Sequence, residues 1–156
     1  MADVVDSRTR SRMMAGIRGR DTTPELLIRR ALHRAGFRFR LNVRSLPGTP
    51  DIVLPKYRAA IFIHGCFWHR HEGCRYATHP ATRPEFWAQK FQQNVERDAR
   101  ARALLKQAGW RVATIWECGT RKLTPSASAR LFDWVRSSGD EFVLSDSVRR
   151  AGSGTD

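Results

Sequence analysis

The chain has 156 residues, 41% of them hydrophobic, which is enough to bury the core of one folded domain. No run of about eighteen apolar residues is present, and the N-terminus lacks the apolar stretch of a secretory signal, so we expect a cytoplasmic protein without membrane contact. Lys and Arg number 28 against 15 Asp and Glu, a formal net charge of +13. This excess favours a nucleic acid as partner, because basic side chains that neutralise phosphates release counterions. The alternative is that the arginines serve only solubility.

The chain begins with a basic segment followed by a helix. Residues 1–20 include R-T-R-S-R-M-M-A-G-I-R-G-R, which is typical of a basic arm or a short helix. The next helix is predicted to have Thr23 as its N-cap, Pro24 at its first position and Gly36 as its C-terminal stop. Its leucines and isoleucine recur at helical spacing, so this helix is expected to pack against the rest of the domain.

Three strands are predicted in succession after this helix. Residues 37–43 alternate between apolar and polar, residues 51–54 follow the turn sequence S-L-P-G-T-P, and residues 59–63 form an apolar run. The short connections between them predict an antiparallel meander that ends at His64.

The second half of the chain predicts a crossover. A long charged helix extends from Pro84 to Ala108 and is closed by Gly109, and residues 110–118 have the composition of a strand. A helix between two strands favours a parallel pairing. A last amphipathic helix opens at Thr124. The fold class predicted is therefore α/β: one domain with a central mixed β-sheet flanked by helices.

The sequence H-G-C-F-W-H-R-H-E-G-C predicts a zinc site. Zinc in structural sites takes four nitrogen or sulfur ligands, and Cys66 and Cys74, with Cys118 just past a buried strand, offer three sulfurs. The fourth ligand is His69 or His71, and the spacing does not decide between them. An odd number of cysteines fits poorly with disulfides. Four protein ligands predict a closed, structural site, whereas the alternative is that the cysteines are ordinary buried thiols.

A second group of residues predicts catalysis. Asp51 stands at the start of a strand, directly after a Gly-Thr-Pro turn, where a carboxylate at the rim of the sheet can bind a divalent cation. The following strand ends at His64, one hairpin away, so the two side chains can converge. Aspartate is also common in turns, and Glu25 in a first helical turn also stabilises the helix dipole, so neither residue alone indicates an active site.

Two aromatic residues of the same loop predict a contact with bases. Phe67 and Trp68 are flanked by polar residues, whereas Trp110 and Trp116 belong to a strand and are expected to lie in the core. Exposed apolar side chains on a basic protein can insert between base pairs, and a mismatched step costs less to unstack.

These sequences resemble the very-short-patch repair endonuclease family. The resemblance covers residues 7–136 and depends on Arg20-Asp21-Thr22 followed by Glu25, on L-P-G-T-P-D ending at Asp51, and on H-G-C-F-W-H-R-H, A-T-R-P-E-F-W, N-V-E-R-D and G-W-R-V-A-T-I-W-E-C. It implies a restriction-endonuclease-like fold with a zinc-stapled loop. It also implies an endodeoxyribonuclease that nicks DNA on the 5′ side of the thymine in a T·G mismatch, the product of 5-methylcytosine deamination.

The resemblance also implies catalytic roles. Asp51 and the backbone carbonyl of Ile63 would bind magnesium, with two Mg²⁺ ions expected. His69 would activate or position the attacking water, and His64 would lie beside the metals and the scissile phosphate. Glu25 would hold a metal-bound water or orient a histidine.

The remaining implied roles concern zinc and the bases. One structural zinc ion would be bound by four residues, Cys66, His71, Cys74 and Cys118. Four side chains would intercalate, namely Phe67, Trp68, Trp87 and, from the N-terminal arm, Met14. The implied organisation is a DNA-contacting arm over residues 1–20, an endonuclease domain over 21–137, and a C-terminal segment and tail over 138–156.

One departure from restriction-type nucleases favours the repair family. Such nucleases place an acidic residue and a lysine on the strand after the first aspartate, where this chain has Phe62, Ile63 and His64. Two alternatives stay open: a non-enzymatic zinc-bound DNA-binding module, and a structure-specific or restriction-type nuclease with another target. A monomer that acts on mismatched double-stranded DNA and cooperates with mismatch-repair factors is expected.

Overall fold

Five strands form one mixed sheet in the order β1-β2-β3-β4-β5 in the computed structural model, which describes residues 21–146. The strands are β1 (Arg40–Leu41), β2 (Ile52–Leu54), β3 (Ala59–His64), β4 (Arg111–Trp116) and β5 (Glu141–Leu144). The first three are antiparallel neighbours, and β4 pairs in parallel with both β3 and β5. The predicted meander and the predicted parallel pairing are both confirmed.

Within residues 21–146, four α-helices and one 3₁₀ turn accompany the sheet. They are α1 (Thr23–Arg34), the 3₁₀ turn (Pro55–Tyr57), α2 (Pro84–Gln107), α3 (Glu117–Arg121) and α4 (Pro125–Arg136). None of the helices within residues 21–146 is both long and apolar enough to cross a bilayer.

The sheet has a hydrophobic core on each face, because successive strand residues point to opposite sides. Ala59 and Ile61 of β3 face a core that α1 and α4 cover, and Ala60 and Phe62 face a second core that α2 covers. Residues 59–62 are therefore buried on both faces of the sheet. The result is a single mixed α/β domain, as predicted.

Three predicted boundaries are wrong by a few residues. The cap of α1 is Thr22, whose hydroxyl accepts a long hydrogen bond from the Glu25 N–H, so Thr23 already belongs to the helix. The first strand is only two residues long, although Phe37 is buried as its apolar character required. The strand after α2 ends at Trp116, and the chain turns there into α3.

The fifth strand was not predicted from sequence. Its residues E-F-V-L lie within the segment assigned to the C-terminus, and they pair with β4 from Val112↔Glu141 to Ile115↔Leu144. The sheet thus extends to Leu144. The predicted N-terminal arm over residues 1–20 and the end of the tail, residues 147–156, lie outside the described residues.

Candidate active site and metal cluster

The carboxylate of Asp51 lies just before the start of β2, beside the neighbouring strand β3. Its Oδ2 accepts a hydrogen bond of 2.7 Å from the Ile63 N–H. Burial raises the pKa of Asp51 to about 7, the Ile63 hydrogen bond opposes this, and the nearby Glu25 carboxylate adds to it. A buried carboxyl group whose ionised form is disfavoured is a good site for a cation.

The turn before Asp51 packs against α2 because it contains a glycine. Gly48 has φ +76°, and a Cβ atom there would lie 2.6 Å from the Ala101 Cβ. Only glycine fits both the backbone conformation and this close approach. The L-P-G-T-P turn therefore fixes the start of β2 against the helix.

Two histidine rings stack beside this carboxylate. His64 ends β3 and is 5% exposed, and its ring lies 3.8 Å from the ring of His69, with an angle of 9° between their planes. The backbone N–H of His69 donates a hydrogen bond of 3.1 Å to the Gly65 carbonyl oxygen, which closes a tight turn after the strand. Burial, followed by the charge of His69, lowers the pKa of His64 to about 3, so this ring is neutral at physiological pH.

Asp98 joins the histidines from α2. Its Oδ2 lies 2.6 Å from the Nδ1 of His69 and 3.8 Å from the Nε2 of His64. Burial alone would raise the pKa of Asp98, but the hydrogen bond from His69 and the neighbouring positive charges outweigh it, and the pKa lies below its usual value. The carboxylate is therefore ionised and holds the His69 ring through Nδ1.

Asp98 is absent from the site residues predicted from sequence, although it lies within N-V-E-R-D. A signal was available, because Phe91, Asp98, Ala101 and Leu105 recur at helical spacing and the three apolar members are buried. An acidic residue in such a buried stripe requires a polar partner. The charged character of the whole helix hid this position.

Glu25 projects from the first turn of α1 into the same region and is 6% exposed. Its Oε1 accepts hydrogen bonds from the Asp21 N–H at 3.0 Å and from Arg29 at 3.1 Å. Within the described residues, the carboxylate of Glu25 therefore accepts hydrogen bonds from Asp21 and Arg29 rather than from a histidine.

These groups line one cleft of about 1170 Å³. Its wall includes all four residues predicted to act in catalysis, Glu25, Asp51, His64 and His69, together with Asp98. Three basic side chains lie on the same wall, namely Arg44, Lys90 and Arg97. The wall also includes Glu117, so it carries four acidic and three basic side chains. Basic side chains beside carboxylates suit a phosphate diester, which must be attracted and whose added charge must be stabilised.

The predicted zinc ligands form a separate cluster. The ligand atoms of Cys66, His71, Cys74 and Cys118 all lie within 4.8 Å of one another. The Cys118 Sγ is 3.5 Å from the His71 Nδ1, close to the separation of about 3.5 Å between ligand atoms of a tetrahedral zinc ion. The structure thus places His71, and not His69, beside the three cysteines.

Backbone donors support this metal cluster. The Cys118 N–H points to the Cys66 sulfur at 3.4 Å, and the Asp146 N–H points to the Cys118 sulfur at 3.3 Å. Burial raises the pKa of the Cys66 thiol, so a bound cation is needed to displace its proton. Buried sulfur and nitrogen donors of this kind fit a soft metal ion and leave no oxygen ligand for magnesium.

The three described residues predicted to intercalate lie together. Phe67 contacts Trp68 and Trp87, with ring centroids 4.9 Å and 6.2 Å away, and the two tryptophans are 5.8 Å apart. Arg70 fixes this group, because its guanidinium donates to the Phe67 carbonyl oxygen at 3.0 Å and lies 4.1 Å from the ring centroid of Phe91. Met14 lies outside the described residues.

The other histidines and tryptophans take no part in the cleft wall. His33 and His79 are exposed. Trp110 and Trp116 are both half-buried rather than full core residues. Trp110 packs against the core under α2, and Trp116 contacts histidines of both sites.

Known proteins are similar in sequence to this chain over most of its length. The family model described as DNA mismatch endonuclease Vsr matches residues 2–75. A DNA mismatch endonuclease Vsr of Escherichia coli is 48% identical over 139 residues, which cover 86% of this chain and 88% of that protein. A type II nicking enzyme, V.XorIIP of Xanthomonas oryzae pv. oryzae, is 46% identical over 76% of this chain and 86% of its own length. V.NmeAIP of Neisseria meningitidis, also a type II nicking enzyme, is 41% identical over 76% of this chain and 84% of its own length.

These relatives, together with the mixed α/β fold and a cleft lined by carboxylates and histidines, identify the chain as an endodeoxyribonuclease. With close relatives that match it over most of its length, the chain belongs to the DNA mismatch endonuclease Vsr family.

Proposed function

We propose that this DNA-nicking mismatch endonuclease cleaves double-stranded DNA on the 5′ side of the thymine in a T·G mismatch, by Mg²⁺-dependent hydrolysis. The observation that carries the proposal is the convergence of Asp51, His64, His69 and Asp98 in one cleft, beside a cluster of aromatic side chains. A module that only bound DNA would need basic side chains and the aromatic residues, but it would have no use for a paired histidine and aspartate.

His69 is the base that activates water in this proposal. Its Nδ1 is engaged by the Asp98 carboxylate at 2.6 Å, so the Nε2 atom is the one left to accept a proton. The water loses this proton to Nε2 as its oxygen attacks phosphorus, and the bond from phosphorus to the 3′-oxygen breaks. Asp98 stabilises the imidazolium that forms, as a carboxylate does in other paired sites.

Asp51 is the protein ligand for magnesium. Its carboxylate is an oxygen donor of the kind Mg²⁺ prefers, and its hydrogen bond to the Ile63 N–H keeps it beside that residue, whose carbonyl is the second proposed ligand. Bound Mg²⁺, with two ions proposed, would neutralise charge on the phosphate and on the leaving oxygen. The nearby Glu25 would orient water at this site.

His64 contributes as a neutral ring beside the scissile phosphate. With a pKa of about 3 it carries no charge at neutral pH. The neutral ring can donate one hydrogen bond and accept one. Its stacking on His69 limits the rotation of both rings.

The metal cluster holds zinc as a structural ion. Four protein ligands leave no open position for a substrate, and the cluster ties the loop after β3 to Cys118 on α3.

We propose that Phe67, Trp68 and Trp87 insert at the mismatch from this loop and from α2, with Met14 entering from the other side. Cooperation with mismatch-repair factors and action as a monomer remain parts of the proposal.

A nicking assay tests the proposed target. Purified protein with Mg²⁺ should nick one strand of a duplex that contains a T·G mismatch and leave the matched C·G duplex largely intact. The same duplexes with other mismatches and other flanking bases give the specificity. Equal cleavage of matched and mismatched duplexes would contradict the proposed target and favour a general nuclease.

A further inference from the structure

Trp116 lies between the metal cluster and the histidines of the cleft. It ends β4 directly beside His64, which ends β3, because the two strands pair in parallel with these residues in register. Its ring stacks on His71, with centroids 4.1 Å apart and an angle of 7°, and meets the His64 ring at 5.3 Å and 67°. One side chain thus contacts a proposed zinc ligand and a proposed active-site residue.

The contacts continue beyond Trp116 on the cleft side. His64 stacks on His69 at 3.8 Å, and His69 is bound to Asp98 at 2.6 Å. An unbroken series of ring contacts therefore joins His71 of the metal cluster to the proposed base. Interiors are close-packed, so a displaced ring in such a series displaces its neighbour.

The orientation of His64 depends on these aromatic contacts. Its Nε2 lies 3.8 Å from the Asp98 carboxylate, too far for a hydrogen bond. Within residues 21–146 its side chain makes ring contacts with Phe62, His69 and Trp116 and no hydrogen bond. Aromatic pairs of this geometry each stabilise one relative orientation. The Trp116 ring, anchored at a strand end, is thus one of the few groups that fix the plane of His64.

We propose that Trp116 is a positioning residue that orients His64, and through it His69, while supporting His71 in the metal cluster. This inference rests on the proposed nicking activity for one of its two measurements. The ring touches neither DNA nor the reacting atoms in this proposal. While zinc stays bound, its removal therefore affects the chemical step and the rate of metal release but not the binding of DNA.

The test compares Trp116→Leu with Trp110→Leu. Trp110 directly precedes the same strand, and it packs under α2 with Arg58 4.6 Å from its ring, away from both histidine groups. For Trp116→Leu we expect the single-turnover nicking rate to fall and zinc release to a chelator to accelerate, each by about 10- to 100-fold, as for other groups that orient metal ligands. The apparent Kd for mismatched DNA, measured with zinc in excess, should not change. Trp110→Leu should change neither rate.

Equal nicking and zinc-release rates in the two leucine variants would overturn the proposal. If Trp116→Leu does not fold, Trp116→Phe decides, because the smaller ring cannot contact both histidines: wild-type values in both measurements would also overturn it. The zinc-release measurement and the NMR resonances of the His64 ring do not require activity. A wild-type protein that fails to nick T·G duplexes would therefore contradict the proposed function and leave this inference to these two measurements.

Discussion

Two groups of candidate metal-binding side chains share the short segment 64–74, but their surroundings differ. The metal cluster is built from three sulfurs and one nitrogen, and Cys66, His71 and Cys118 are buried. The carboxylates and histidines of the other group line a cleft of about 1170 Å³. Closed burial with soft donors suits a permanent structural ion, whereas an open site with oxygen donors suits ions that arrive with a substrate.

Neighbouring histidines of this segment differ in the side chain that their ring contacts on another element. His69 and His71 are separated by one residue, yet the ring of His69 is bound by Asp98 and the ring of His71 faces Cys118. In the proposed function, the partner on the opposite element determines whether a histidine of this loop serves as a base or as a metal ligand.

The largest effect is expected from removing the cleft carboxylate. Asp51→Ala should lower the nicking rate by at least the roughly 10²- to 10³-fold that follows loss of one strong electrostatic stabiliser, while mismatched DNA still binds. The measurement is a single-turnover nicking assay beside a binding titration. Nicking at the wild-type rate would show that the cleft is not the active site.

The metal cluster should respond to loss of one sulfur. Cys118→Ser should lower the zinc content from about one ion per chain and lower the melting temperature, because zinc binds a hydroxyl far more weakly than a thiolate. Metal analysis and thermal unfolding provide the measurements, with Asp51→Ala as a control that should keep its zinc. Full zinc content and unchanged stability in Cys118→Ser would mean that the fourth ligand lies elsewhere.

A smaller catalytic effect is expected at Asp98, which acts through His69. Asp98→Asn keeps the shape of the side chain but removes its charge, so the nicking rate should fall by about 10- to 100-fold with little change in DNA affinity. An unaltered rate would indicate that the 2.6 Å contact only supports the fold.

The smallest effect concerns stability against pH in the absence of divalent ions. The pKa of Asp51 is raised to about 7 in the folded protein from an ordinary value near 3.8, so its ionisation destabilises the fold as pH rises between these values. Asp51→Asn should therefore be more stable than the wild type at pH 8, with no such advantage below pH 4. Denaturant unfolding at several pH values, with EDTA present, measures the difference. A constant difference across pH would contradict the buried, pKa-shifted carboxyl.

Much of the fold could be predicted from local patterns. The turn S-L-P-G-T-P, the stop at Gly109 and the apolar run before His64 place the meander, the long helix and the parallel strand correctly. The strand at Glu141–Leu144 was not predicted because it is short and two of its residues, Glu141 and Val143, are exposed. Its stability comes from pairing with β4 rather than from its own sequence pattern.

The site was predictable in composition but not in its partners. Residue types and spacing identify the cysteines and Asp51, and a family resemblance supplies the roles of the histidines. Asp98 and Trp116 act through contacts 29 and 45 residues away in the chain, with His69 and His71 respectively. Sequence periodicity reports which face of an element is buried and not which side chain it meets there.

Zinc content measured beside the nicking rate separates the proposed roles of His69 and His71. His69→Ala should retain about one zinc ion per chain, the value for a single four-ligand site, and lose nicking. His71→Ala should lose zinc, and His79→Ala, which changes an exposed histidine, should change neither quantity. Loss of zinc from His69→Ala with full zinc in His71→Ala would contradict the account.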